Sequence, residues 1–177
     1  MTKLPLAEGF TLTIEQDEDP SNPREDDCLF GTMFCWHRRY SLGDKHDYAS
    51  PDDFPDDFAI KLPLYLHDHS GITMATSPFS CQWDSGQVGW ICVSREDIEK
   101  EYGTSDNAFD KAREYLENEV KTYDQYLCND IWGYTITDKT GEEVDSCWGF
   151  YGDDPMENGM LDNFGKEHQT SYKELHA

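Results

Sequence analysis

Four stretches hold all of the chain's excess charge, and any fold it adopts must carry them on the outside. Residues 15–27 have a net charge of −6, residues 44–57 of −5, residues 96–119 of −6 and residues 138–157 of −6, which together make the −23 of the 177-residue chain. Self-repulsion on this scale works against a compact state, so the segments between the acidic stretches must cohere strongly. They do so with rings: aromatic residues reach 14%, although hydrophobic residues are only 37% and the mean hydropathy is −0.80. A core of few, large side chains is expected rather than a disordered chain. The length points to a single domain over residues 1–177, with acidic loops at about 17–27 and 44–57 and a loop-rich tail at 152–177.

The charge also restricts partners. A protein that grips phosphates by counterion release needs a cationic face, so direct binding of nucleic acid or of anionic lipid is not expected. No apolar run approaches the ~18 residues of a membrane span, and the opening MTKLPLAEGF lacks the apolar centre of a secretory signal. A soluble, cytoplasmic protein is the expectation. Six cysteines are scattered without a C-x-x-C pair, most beside apolar or aromatic neighbours, which predicts buried, reduced thiols over a disulfide framework or a zinc site.

Alternation of apolar and polar residues predicts strands at 10–16, 29–36, 60–67, 72–76, 88–93, 131–137 and 143–150, with Pro63 at an edge or bulge. The last two are joined by the turn Asp138-Lys139-Thr140-Gly141 as a hairpin. Ser94, three residues before Asp97, caps a short helix that Gly103 ends. A long helix follows over about 106–127, capped by Thr104 or Ser105. Its apolar residues Phe109, Ala112, Leu116, Val120, Tyr123 and Leu127 are spaced 3, 4, 4, 3 and 4 apart, one face of a helix. The fold class is α+β: a mainly antiparallel sheet containing the 131–150 hairpin, with the long amphipathic helix packed on one face through Phe109, Leu116, Val120 and Tyr123.

Five stretches stand out in order: GTMFCWHRRY followed by LGDKH at 42–46, LPLYLHDHSGITM at 62–74, PFSCQWDSGQVGWICVSRE at 78–96, VKTYDQYL at 120–127 and VDSCWGFYG at 144–152. Together they resemble a family of small, mostly uncharacterised acidic proteins of bacteriophages, prophages and plasmids, over roughly residues 31–152. The resemblance implies a mobile-element protein of the host cytoplasm, for which countering host defence is a common role. It implies no catalytic residues.

On the long helix Asp106, Asp110, Glu114, Glu117 and Asp124 lie 4, 4, 3 and 7 apart, along one flank of the apolar stripe. Successive carboxylates on such a flank stand about 5–6 Å apart along the axis, against about 3.4 Å between phosphates of one DNA strand. With Asp17, Glu18, Asp19, Asp26 and Asp27 of the first acidic loop and Asp52, Asp53, Asp56 and Asp57 of the second, these form the candidate partner-binding set. The expected function is a DNA mimic that inhibits a host DNA-binding defence protein or nucleoprotein complex, CRISPR-Cas or restriction, without cofactor, metal or catalysis. Two alternatives stand beside it. A salt-adapted interaction protein would carry the same acids as a solvated face and would lose structure on dilution from molar salt. A metal- or thiol-dependent enzyme would use His67, His69 and Cys81: His67 and His69 point to one side of a strand, and Asp84, Cys81 or His46 are conceivable third ligands. The basic cluster Arg38-Arg39 is expected to pair with carboxylates of the neighbouring acidic loop.

Overall fold

The computed structural model describes residues 1–25, 29–81 and 83–176. In chain order the elements are β1 (Thr2–Pro5), β2 (Thr11–Gln16), β3 (Thr32–Cys35), β4 (Ile60–Asp68), β5 (Ile72–Ala75), β6 (Ser85–Val93), α1 (Arg95–Tyr102), α2 (Ala108–Leu127), β7 (Ile131–Thr137), β8 (Glu143–Tyr151), α3 (Met160–Asn163) and α4 (Lys166–Leu175). Two four-stranded antiparallel sheets result, β1-β2-β7-β8 and β3-β6-β4-β5, and the fold is α+β. The length pointed to one domain. The chain divides into two compact units, Met1–Ser21 with Asn129–Ala177 and Asn22–Cys128, each sheet having a buried cluster of its own.

In the unit formed by the two chain ends, β2 alternates as its sequence requires, burying Leu12 and Ile14 against Tyr134 and Ile136 of β7. The expected hairpin is present as β7 and β8. Its turn is held by Asp138, whose Oδ1 accepts from Thr140 N at 2.7 Å and Glu142 N at 3.0 Å, and these bonds, that of the Thr140 hydroxyl first, lower the pKa of its carboxyl. The tail is more ordered than its composition suggests. Residues Lys166–Leu175 form a helix that buries His168, Ser171 and Tyr172, and Ser171 Oγ accepts from Ala7 N at 2.7 Å. Those buried positions have helical spacing, but two of the three are polar, so no apolar stripe announces the helix.

In the central unit β4 buries every second residue, Ile60, Leu62, Leu64 and Leu66. Pro63 faces Trp90 of β6, while β5 pairs with Tyr65–Asp68, so Pro63 lies beyond its reach; a bulge follows between Leu64 and Tyr65. Gly89 faces Leu64 on one side and Cys35 on the other. A Cβ there would run into the Phe34 carbonyl oxygen and stand 2.9 Å from Cys35 Cα, so only glycine lets β3 and β6 close.

The long helix corrects one expectation. Its stripe, Ala112, Leu116, Val120 and Tyr123, packs against the β3-β6-β4-β5 sheet through Met33, Leu62, Leu64 and Ile91, and the hairpin is in the other sheet. Amphipathicity identifies a buried face without naming what covers it. Phe109 is half-buried, with the Arg95 guanidinium 5.0 Å from its ring centre. The helix starts at Ala108, with Asn107 rather than Thr104 or Ser105 at its N-cap. The preceding α1 follows its signals: Ser94 Oγ accepts from Asp97 N at 3.1 Å, and Gly103 caps the end.

The opposite face of this sheet carries a second cluster of Phe34, Phe54 and Cys92, with Trp36, Phe58 and Trp90 around it. Here the duplicated PDDFPDDF acquires a meaning. Phe54 and Phe58 stack with centres 5.4 Å apart, Phe54 is buried, and Asp52, Asp53, Asp56 and Asp57 are exposed. Each repeat clips a ring to the sheet and turns two acids outward.

Candidate functional site

On α2 the structure leaves Asp110, Glu114 and Glu117 exposed, on turns whose apolar side is buried; Asp106, expected in the same row, is exposed but precedes the helix, which starts at Ala108. Asp124 departs from the row. Its Oδ1 accepts from Thr73 Oγ1 and from Met74 N, both at 2.7 Å, so this carboxylate fastens α2 to β5. In the first acidic loop Glu18 and Asp19 are exposed and Asp17 is half-buried, its Oδ1 accepting from Asp19 N at 3.1 Å. Those three belong to the other unit, and Asp26, Asp27 and Cys28 lie outside the described residues. In the second loop Asp53 accepts from Ser50 Oγ at 2.9 Å, and Asp56 pairs with Lys61 at 2.6 Å.

A buried ionic hub sits beneath α2, and sequence reasoning missed it. Arg24, in sequence the one cation among the acids of residues 15–27, is 7% exposed. It grips Asp44 in a fork, Nε to Oδ1 at 2.8 Å and a terminal nitrogen to Oδ2 at 2.6 Å; it also donates to Glu119 Oε2 at 3.2 Å and to the Gly31 carbonyl at 2.7 Å. Burial lowers its pKa, and Asp44 and Glu119 outweigh burial to leave it above the ordinary value. The carboxylates are satisfied in turn: Glu119 accepts from Phe30 N at 2.8 Å and Gly31 N at 3.1 Å, and Asp44 from Met33 N at 2.7 Å. The basic cluster behaves differently from expectation. Arg39 pairs with Asp68 at the end of β4, away from the acidic loop, and Tyr40 Oη donates to the same carboxylate at 3.3 Å.

The third grouping joins residues from the end of β4 and from the segment before β6. One ligand atom from each of His67, Cys81 and Asp84 lies within 4.8 Å of the others. His69 Nδ1 is 3.2 Å from Asp84 Oδ2, and Cys81 Sγ is 3.8 Å from the same oxygen. The His67 and His69 rings stand side by side with centres 6.1 Å apart. Antiparallel pairing places His67 opposite Ser85, Asp68 N donates to the Asp84 carbonyl at 2.8 Å, and Ser85 Oγ donates to the Cys81 carbonyl, so backbone and side chain together hold the segment over the histidines. Among the conceivable third ligands His46 is placed elsewhere, its Nε2 3.1 Å from the Cys35 carbonyl. Beside Asp84 opens a cleft of about 490 Å³, lined in part by Trp36, Arg38, Arg39, Asp68 and Trp83.

Of the five described cysteines Cys35 and Cys92 are buried, Cys81 and Cys147 half-buried and Cys128 exposed. Apolar neighbours in sequence overstated their burial. Desolvation pushes Cys35 and Cys92 up to about 12 from 9.0. Because both pKa values are raised in the folded chain, the stability they confer is fully present below about pH 9 and is lost as pH climbs toward about 12. At pH 8 an aromatic disulfide reagent is expected to leave Cys35 and Cys92 unreacted until urea unfolds the chain; their rapid labelling without denaturant would contradict that placement.

No helix among the described residues is long and apolar enough to cross a membrane. Comparison of the chain with known protein families, with curated proteins and with solved structures finds no match.

Proposed function

We propose that the protein is a stoichiometric, non-catalytic inhibitor that occupies the DNA-binding surface of a host defence complex of the CRISPR or restriction type. The observation that carries this reading is the row Asp110, Glu114 and Glu117, exposed along one helix whose other side is buried, with Asp106 exposed just before its N-terminus. A row on a packed helix keeps its spacing, so a cationic DNA channel meets a preformed negative track and the field steers the encounter. The resemblance to phage and plasmid proteins supplies a setting in which such a decoy is useful. The test titrates purified protein into DNA-binding and cleavage assays of the host's restriction and CRISPR complexes. Inhibition is expected to become complete at a fixed molar ratio and to weaken as salt rises from about 50 to 200 mM, as displacement of a phosphate track requires. Undiminished DNA binding and cleavage at a large molar excess would reject the reading.

A second reading, a metal- or thiol-dependent enzyme, is favoured by one observation, the convergence of His67, Cys81 and Asp84. Metal catalysis needs an open ligand position, which these three donors leave and which His69, its Nδ1 3.2 Å from Asp84 Oδ2, would close on binding.

A further inference from the structure

We propose that His67, His69, Cys81 and Asp84 bind one zinc-type divalent cation in a closed, tetrahedral site that staples the segment before β6 to the end of β4. The donor chemistry is specific. One thiolate, two imidazoles and one carboxylate suit zinc and poorly suit magnesium or calcium, which prefer oxygen alone. Two of the donor separations, both to Asp84, match the bound state. With zinc distances of about 2.3 Å to sulfur and about 2.0 Å to nitrogen and oxygen, tetrahedral angles place sulfur about 3.5 Å and nitrogen about 3.3 Å from the carboxylate oxygen. Here Cys81 Sγ stands 3.8 Å and His69 Nδ1 3.2 Å from Asp84 Oδ2. His67, Cys81 and Asp84 already converge, their ligand atoms within 4.8 Å of one another; His69 touches this set through Asp84 alone, and rotation about its exposed side chain draws it in as the fourth donor.

The chain around these donors has reason to need a staple. The described residues between Ala75 and Ser85 contain no strand or helix, and Trp83 among them is 96% exposed, so little apolar burial holds this segment down. A metal that joins it to two histidines at a strand end supplies the missing tie, and because all four positions are taken by protein the ion is structural. None of the four residues belongs to the carboxylate row on α2, so this inference and the decoy reading fail separately.

The experiment uses the untagged full chain, reduced, incubated with zinc alongside a chromophoric chelator and analysed by atomic emission, and a parallel sample loaded with Co²⁺. Expected are one zinc per chain, a more than ~100-fold weaker affinity in Cys81→Ser and in His69→Ala, and no change in Cys147→Ser. The Co²⁺ form should show intense tetrahedral visible bands and a thiolate-to-cobalt band that Cys81→Ser lacks. Circular dichroism checks the fold of each variant, and the cobalt spectrum of the parent chain decides the matter should a variant fail to fold. Failure to retain zinc, a cobalt spectrum without a thiolate band, or full zinc affinity in folded Cys81→Ser would overturn the site.

Discussion

Replacing Arg24 by alanine is expected to destabilise the protein by about 3–5 kcal/mol, the cost of leaving buried charge without its partner, against a total stability of about 5–15 kcal/mol for a domain. The guanidinium is the sole cation of the hub, and its removal leaves Asp44 and Glu119 facing each other with side chains 16% and 10% exposed. Those carboxylates also take the amide protons of Phe30, Gly31 and Met33, so their repulsion is transmitted to the entry of β3 and to α2 together. Arg24→Lys should recover only part of the loss, since an ammonium cannot reproduce the two-pronged bond to Asp44. Urea unfolding followed by tryptophan fluorescence measures both variants. A loss below about 1 kcal/mol in Arg24→Ala would mean that water reaches the hub and screens it.

How much of this was legible in the sequence depended on the range of the interaction. The α1 helix is bounded by Ser94 and Gly103, and the β7–β8 hairpin by Asp138 and Gly141, because caps and turns are settled within a few residues. The stripe on α2 is equally local, and the sheet it covers is not; the helix was therefore found and its partner misassigned. β1 has four residues, ends in Pro5 and is mostly exposed, so no alternation of buried side chains marks it. Arg24 meets Asp44 across 20 residues and Glu119 across 95, beyond any pattern in a linear reading. His67 and His69 were visible through the two-residue period of a strand. That Asp84 would join them follows from the pairing of His67 with Ser85, which only the folded sheet provides.

Reversing Asp110, Glu114 and Glu117 to lysine is expected to lower inhibitory affinity more than ~100-fold, about 2.7 kcal/mol, while leaving α2 folded. All three are exposed, and the side chains that hold the helix, Ala112, Leu116, Val120 and Tyr123, are untouched. The helix does pay something, because Asp110 lies in its first turn, where a negative charge faces the positive end of the helix dipole; a lysine there costs about 0.3–1 kcal/mol. The decisive comparison holds bulk charge constant. Three reversals of two units each take the net charge from −23 to −17, and reversing Asp52, Asp53 and Asp57 in the second acidic loop gives the same total. A partner that reads a phosphate-like track on α2 separates the two triple variants, with the loop variant retaining most of its inhibition. A partner that responds only to total charge treats them alike. Equal loss in both would remove the α2 row from the mechanism, and inhibition surviving reversal in all four acidic stretches, tested singly and together, would remove DNA mimicry altogether.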